Sequence, residues 1–228
     1  MKNIIKKSAN FLTVFRILLV FCMLPLMFMI LNFKKNQTDD VNTTLIWLFN
    51  LIFIIAAITD YLDGYIAKKF DQQTVFGKFF DPIADKLLVI ITFFHIFLLS
   101  NRKLLLNIAD DNKDVKTGIV MVLIATIIRD LIITGVRLVA VEKKHIISAS
   151  VLGKLKTVFT FITIIFLLFV KQIYSHIWNS ELLNLESKLP ITVFINVLSG
   201  INIFLIAGSG VLYIIKNFKF IRENFDQN

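Results

Sequence analysis

Long apolar runs decide most of what this chain can become. Six are present, at about 11–33, 44–62, 82–100, 117–141, 149–174 and 190–215. A helix rises about 1.5 Å per residue, so roughly 20 apolar residues cross the ~30 Å hydrocarbon layer of a bilayer. No water reaches the backbone at that depth, and each run must satisfy its own N–H and C=O groups as α-helix. Of the 228 residues 57% are hydrophobic, with 23 phenylalanines, where soluble domains hold about 45–50% apolar residues. The expectation is an all-α polytopic membrane protein with six transmembrane helices, residues 1–228 forming a single membrane-embedded domain. The first run is too long for a signal peptide, lacks a small-residue cleavage site and carries Arg16, so it is read as a retained span.

The net charge of +9 would suggest nucleic acid in a soluble protein. Beside six spans it reflects basic loops facing anionic lipid, and no nucleic-acid partner is expected. Segments 1–10, 60–86, 142–156 and 216–228 hold three, four, four and three lysines and arginines; the alternate segments 34–43, 101–116 and 171–189 hold two, four and two. The positive-inside rule then puts both termini and residues 60–86 in the cytosol. A lone cysteine, Cys22, excludes an intrachain disulfide and reads as a small core or lipid-facing residue. His95, His145 and His176 are scattered and carry no assigned role.

Between the second and third runs the chain changes character: Asp60 to Asp85 reads DYLDGYIAKKFDQQTVFGKFFDPIAD. On a helix Asp60 and Asp63 fall about 60° apart and Asp81 and Asp85 about 40° apart, so each pair shares a face. Together the four offer up to about eight carboxylate oxygens to a hard divalent cation such as Mg²⁺ or Mn²⁺. The bland alternative is a solvated loop whose acids balance nearby lysines, a poor fit beside membrane, where carboxylates are costly unless paired or functional. An EF-hand is excluded, because alternate-position ligands and a closing Glu are missing. Pro82 after Asp81 predicts an Asp N-cap with Pro at the first helical position.

Other polar side chains interrupt the apolar runs. Asn10, Thr13 and Arg16 recur every three residues near one face, as a capped helix with a snorkelling Arg or as the rim of a polar site. Arg129, Asp130 and Arg137 lie within the fourth run, as a structural ion pair or the lining of a wet cavity. Residues 142–156 read as a loop whose Lys154 and Lys156 are positive-inside anchors or anion ligands. Their GKLKT lacks the upstream glycine and strand of a P-loop. Residues 101–116 read as a charged connector and 216–228 as a basic tail. Gly200, Gly208 and Gly210 are expected to permit close helix packing.

The pattern Asp60-x2-Asp63-Gly64-x2-Ala67-Lys68-x8-Gly77-x3-Asp81-x3-Asp85 resembles the signature of the CDP-alcohol phosphatidyltransferases. Every spacing agrees, and the one departure is Lys68 where the family usually has Arg; lysine keeps the charge and loses the bidentate fork. The resemblance implies that family's fold, a CDP-diacylglycerol donor and a two-metal site of Mg²⁺ or Mn²⁺. It also implies metal ligation by Asp60, Asp63, Asp81 and Asp85, with Asp85 as the base for the acceptor hydroxyl. Gly64 and Gly77 would let the nucleotide approach the backbone, Ala67 would leave room, and Lys68 would help neutralise phosphate. Asn10 and Thr13 would complete the CDP-head site, since similar Asn-x-x-Thr-x-x-Arg entries recur in the phosphatidylglycerophosphate synthase branch.

IIRDLIITGVR and LGKLKT are also similar to segments of that branch. It joins phosphatidyl to sn-glycerol 3-phosphate, whose phosphate would bind Arg129, Arg137, Lys154 and Lys156. The resemblance further implies a homodimer among membrane lipids; short loops and the absence of a targeting peptide favour a bacterial plasma membrane. Three alternatives stay open. A cardiolipin synthase of the same family would need less positive charge for its acceptor. A membrane prenyltransferase normally has two separated acidic motifs and more spans. A divalent-cation carrier would move ions without turning over CDP-lipid.

Overall fold

A computed structural model of the chain describes residues 2–32, 39–70, 75–101, 113–142, 151–173 and 189–225. These are six helices: α1 (Lys2–Asn32), α2 (Asp39–Phe70), α3 (Val75–Asn101), α4 (Lys113–Glu142), α5 (Val151–Ile173) and α6 (Leu189–Phe225). Each holds a stretch long and apolar enough to cross a membrane, and the stretches follow the six sequence runs to within a few residues. The protein is an integral membrane protein. Its contacts divide it into two compact units, residues 1–98 and 99–228.

In the first unit α1 packs along α2. The face α1 buries carries Thr13, Arg16, Val20, Met23 and Ile30, a three-to-four-residue spacing that keeps one stripe inward. Phe49, Phe53 and Ala56 of α2 and Ala84, Leu88, Phe93 and Ile96 of α3 are likewise buried. The His95 imidazole of α3 stacks on the Phe49 ring of α2 with centroids 3.7 Å apart. Phe11, Leu18, Phe21 and Phe28 point outward, the arrangement a helix adopts when its solvent is lipid rather than water. Cys22 is exposed on this helix.

In the second unit α6 packs against both α4 and α5. Lipid tails give helices no hydrophobic reason to associate, so close packing and interhelical hydrogen bonds carry the contact. Both are present. The buried Asn202 of α6 accepts from Thr160 Oγ1 of α5 at 3.2 Å and donates to Thr163 Oγ1 one turn on. Gly118 of α4 lets Ser199 of α6 approach to 3.3 Å from where a Cβ would stand.

Several sequence expectations change here. The helix carrying Asp81 begins at Val75, and Pro82 lies inside it. Asp81 does not cap α3, because its carboxylate is engaged by α1; an internal proline is tolerated in a membrane helix whose neighbours hold the freed backbone. Residues 151–156, where the loop reading and the fifth span of about 149–174 overlapped, are the opening of α5; α4 already starts at Lys113, and the basic tail continues α6 to Phe225. Gly200 and Gly208 face open space, so of the three glycines read as packing sites only Gly210 meets a neighbour, Arg129 Cγ at 3.4 Å.

Candidate active site

The acid signature sits on two helices of the first unit, with Asp60 on α2 and Asp81 and Asp85 on α3. One face of α1 reaches both. Thr13 Oγ1 donates to Asp81 Oδ1 at 2.8 Å, and Arg16 Nη1 pairs with Asp60 Oδ1 at 2.6 Å. The Arg16 side chain is 0% exposed, so it does not snorkel: a carboxylate within reach neutralises it at depth. The i, i+3 spacing of Thr13 and Arg16 on a 3.6-residue helix aims them at acids on two different helices. Asp60 and Asp81 lie close enough to repel one another. Asp85 follows Asp81 by one turn, half-buried. Asn10, Asp63, Gly64, Ala67, Lys68 and Gly77, also assigned to the site by sequence, fall within α1, α2 and α3, but their side chains lie outside what the structure describes.

Among the described residues no group of three or more His, Cys, Asp or Glu is gathered as a metal site, and the Asp63 side chain is outside that description. The donor set nevertheless fits a hard divalent cation. It is made only of carboxylate oxygens, and two of the carboxylates repel each other with Arg16 as partial compensation.

The second unit holds the cations, and the structure sorts them. Arg129 Nη1 donates to Asp130 Oδ1 at 2.8 Å, and Lys156 Nζ of α5 approaches the two Asp130 oxygens at 3.4 and 3.5 Å. Arg137, eight residues beyond Arg129 on α4, lies over the Tyr213 ring of α6, with its guanidinium carbon 5.8 Å from the centroid. Lys154 is exposed while Lys156 is buried. Residues two apart stand about 200° apart on a helix, so these lysines cannot serve one cluster. Arg129 and Lys156 are thus brought together, and Lys154 is not.

The sequence reading placed Arg16 on a candidate polar rim and Asp130 in a candidate ion pair or cavity lining, but gave neither a role in the site. Each carried a signal: a charge inside an apolar run needs a partner or a function.

Comparison with known proteins bears on what this arrangement serves. The CDP-alcohol phosphatidyltransferase family profile matches residues 6–209. The chain belongs to this family. A protein of Mycoplasma genitalium named CDP-diacylglycerol–glycerol-3-phosphate 3-phosphatidyltransferase is 33% identical over 204 residues, covering 81% of this chain and 72% of that protein. Proteins of the same name from Mycoplasma pneumoniae and Bacillus subtilis are 34% and 32% identical, over 72% and 65% of this chain and 69% of each relative. As a CDP-alcohol phosphatidyltransferase the chain is a transferase of a generally divalent-metal-dependent family. The matched region contains Thr13, Arg16, the whole acid signature, Arg129, Asp130 and Lys156.

Proposed function

We propose that this CDP-alcohol phosphatidyltransferase moves the phosphatidyl group of CDP-diacylglycerol onto sn-glycerol 3-phosphate, giving phosphatidylglycerol phosphate and CMP. The observation that carries the choice of acceptor is the gathering of Arg129 and Lys156 in the second unit, two cations against one carboxylate among the described ion pairs. That surplus suits a small phosphorylated acceptor, and the relatives' name agrees with it. A neutral alcohol would give the surplus nothing to bind.

In this reading Asp60, Asp63, Asp81 and Asp85 hold two divalent cations, Mg²⁺ or Mn²⁺. Bound there, the metals would polarise the phosphorus and stabilise the departing phosphate charge. The rest belongs to the protein. Thr13 and Arg16 fix the Asp81 and Asp60 carboxylates from α1. Asn10, Thr13, Gly64, Ala67, Lys68 and Gly77 admit and neutralise the CDP head. Asp85 takes the proton of the acceptor's 1-hydroxyl as its oxygen attacks the phosphorus bearing diacylglycerol. The bond to the CMP oxygen breaks, and CMP leaves with that electron pair. Arg129, Lys156 and Arg137 hold the acceptor's own phosphate; Lys154 becomes a surface anchor.

We read residues 1–228 as one catalytic domain, since the family match runs through both units without a break. The lysine and arginine distribution supports cytosolic termini and active site, the short loops are in keeping with a bacterial plasma membrane protein, and a homodimer follows from the family resemblance. The test is CMP release by purified protein in mixed micelles with CDP-diacylglycerol and Mg²⁺. Glycerol 3-phosphate, phosphatidylglycerol or no acceptor would be supplied. Release dependent on glycerol 3-phosphate is expected. Release only with phosphatidylglycerol would make the chain a cardiolipin synthase, and no release with either would overturn the reading.

A further inference from the structure

Asp130 is a carboxylate that the acid signature does not include, and its negative charge by itself opposes anion binding. Its surroundings explain its presence. The stem of Arg129 lies against Gly210 of α6, where a Cβ would stand 3.4 Å from Arg129 Cγ. With the stem so placed, the guanidinium turns back to its neighbour Asp130 at 2.8 Å. Lys156 arrives from α5 and sits almost equally far from both Asp130 oxygens, at 3.4 and 3.5 Å. That is the outer limit of a hydrogen bond, so the ammonium is aimed by Asp130 more than it is consumed by it. Asp130 and Lys156 are each backed by a threonine one turn on: Thr134 Oγ1 donates to the Asp130 carbonyl at 2.6 Å, and Thr160 Oγ1 to the Lys156 carbonyl at 2.8 Å. Thr160 is in turn tied to Asn202 of α6.

We propose that Asp130 is a positioning residue for the acceptor: it holds Arg129 and Lys156 convergent on one point, where the acceptor's phosphate binds. This rests on the acceptor assignment above. The physical argument has two parts. Lysine and arginine carry the largest side-chain entropies, and a carboxylate that orders both during folding spares the substrate that cost on binding. Two mostly buried cations without a counter-ion would also be expensive at this depth; among the described ion pairs, one carboxylate between two cations leaves positive charge to attract an anion.

A purely structural ion pair would affect stability alone, and kinetics separate the two roles. Asp130→Asn should raise the KM for glycerol 3-phosphate about tenfold, the scale of one charge-assisted contact, while kcat and the KM for CDP-diacylglycerol stay within about twofold. In a Lys156→Met background the same substitution should add clearly less than about tenfold, because only the part that passes through Arg129 remains. An unchanged acceptor KM with a lowered unfolding temperature would overturn the inference. So would fully additive effects of the two substitutions. Should the Asn variant not fold, Asp130→Glu keeps the charge and displaces it by one methylene. An acceptor KM raised about threefold is then expected, and a wild-type value would overturn the inference. Wild-type protein runs alongside: if it releases no CMP with glycerol 3-phosphate, the acceptor assignment itself has failed, a result distinct from failure of Asp130 alone.

Discussion

At the scale of single residues, the reading depends on carboxylates doing different jobs. Asp85→Asn keeps the side chain's shape and removes its basicity. Loss of a general base typically costs about 10²–10⁴-fold in rate, so kcat should fall by that factor while CDP-diacylglycerol binding persists; near-normal turnover would remove Asp85 as the base. Arg16 works on the other side of the balance. Its side chain is 0% exposed and its partner Asp60 37% exposed, so Arg16→Met should destabilise the protein by about 2 kcal/mol, less than the ~3–5 kcal/mol of a fully buried broken pair. Thermal unfolding in detergent measures this, and an unchanged midpoint would mean that Asp60 does not depend on Arg16. Asp60 and the other signature acids were legible because their spacing survives any uncertainty about helix ends. Asp130 was less so. Beside Arg129 in sequence it reads as a local pair, and only the packing of α5 brings in a second cation from 26 residues away.

At the scale of helices, the lesson concerns where each begins and which face it turns inward. The apolar runs located all six helices, because a bilayer permits little else. Their ends were harder, since an Asp–Pro step looks the same at a helix start and inside a helix braced by its neighbours. The start of α5 at Val151 has a functional consequence. It separates two lysines that loop chemistry would have treated alike. Lys156→Ala should raise the acceptor KM about tenfold and Lys154→Ala by less than about threefold; equal effects would mean that the cluster around Asp130 is not the phosphate site. Glycines make the same point. Sequence cannot say which glycine is crowded, since that depends on the partner helix. Gly118 meets Ser199 at 3.3 Å, whereas Gly200 meets nothing within 4 Å. Gly200→Ala should therefore be neutral or stabilising by up to about 1 kcal/mol through helix propensity, and Gly118→Leu should destabilise. The opposite order in thermal unfolding would contradict the α4–α6 packing.

At the scale of the whole molecule, the proposed topology has six crossings, which would return the chain to the side it started from and put both termini in one compartment. Which compartment is decided by charge. The segments on the terminal side carry more lysine and arginine than the alternate ones, and that bias sets orientation during insertion. The donor and acceptor reading needs the same answer, because the acid signature falls between α2 and α3, on the side of the termini. The single cysteine makes this testable. Cys22 is exposed on α1, away from the buried stripe that holds Thr13 and Arg16, so Cys22→Ser should give an active background without thiols. In that background Asn107→Cys, between α3 and α4, should react with a membrane-impermeant maleimide in intact cells. Asn228→Cys, at the C-terminus, should react only after the cells are opened. The reverse pattern would place the acids outside the cell, away from cytosolic glycerol 3-phosphate, and would overturn the proposed reaction even with six helices intact. Labelling of both positions in intact cells would instead contradict the count of six crossings, since an odd number of spans separates the two positions.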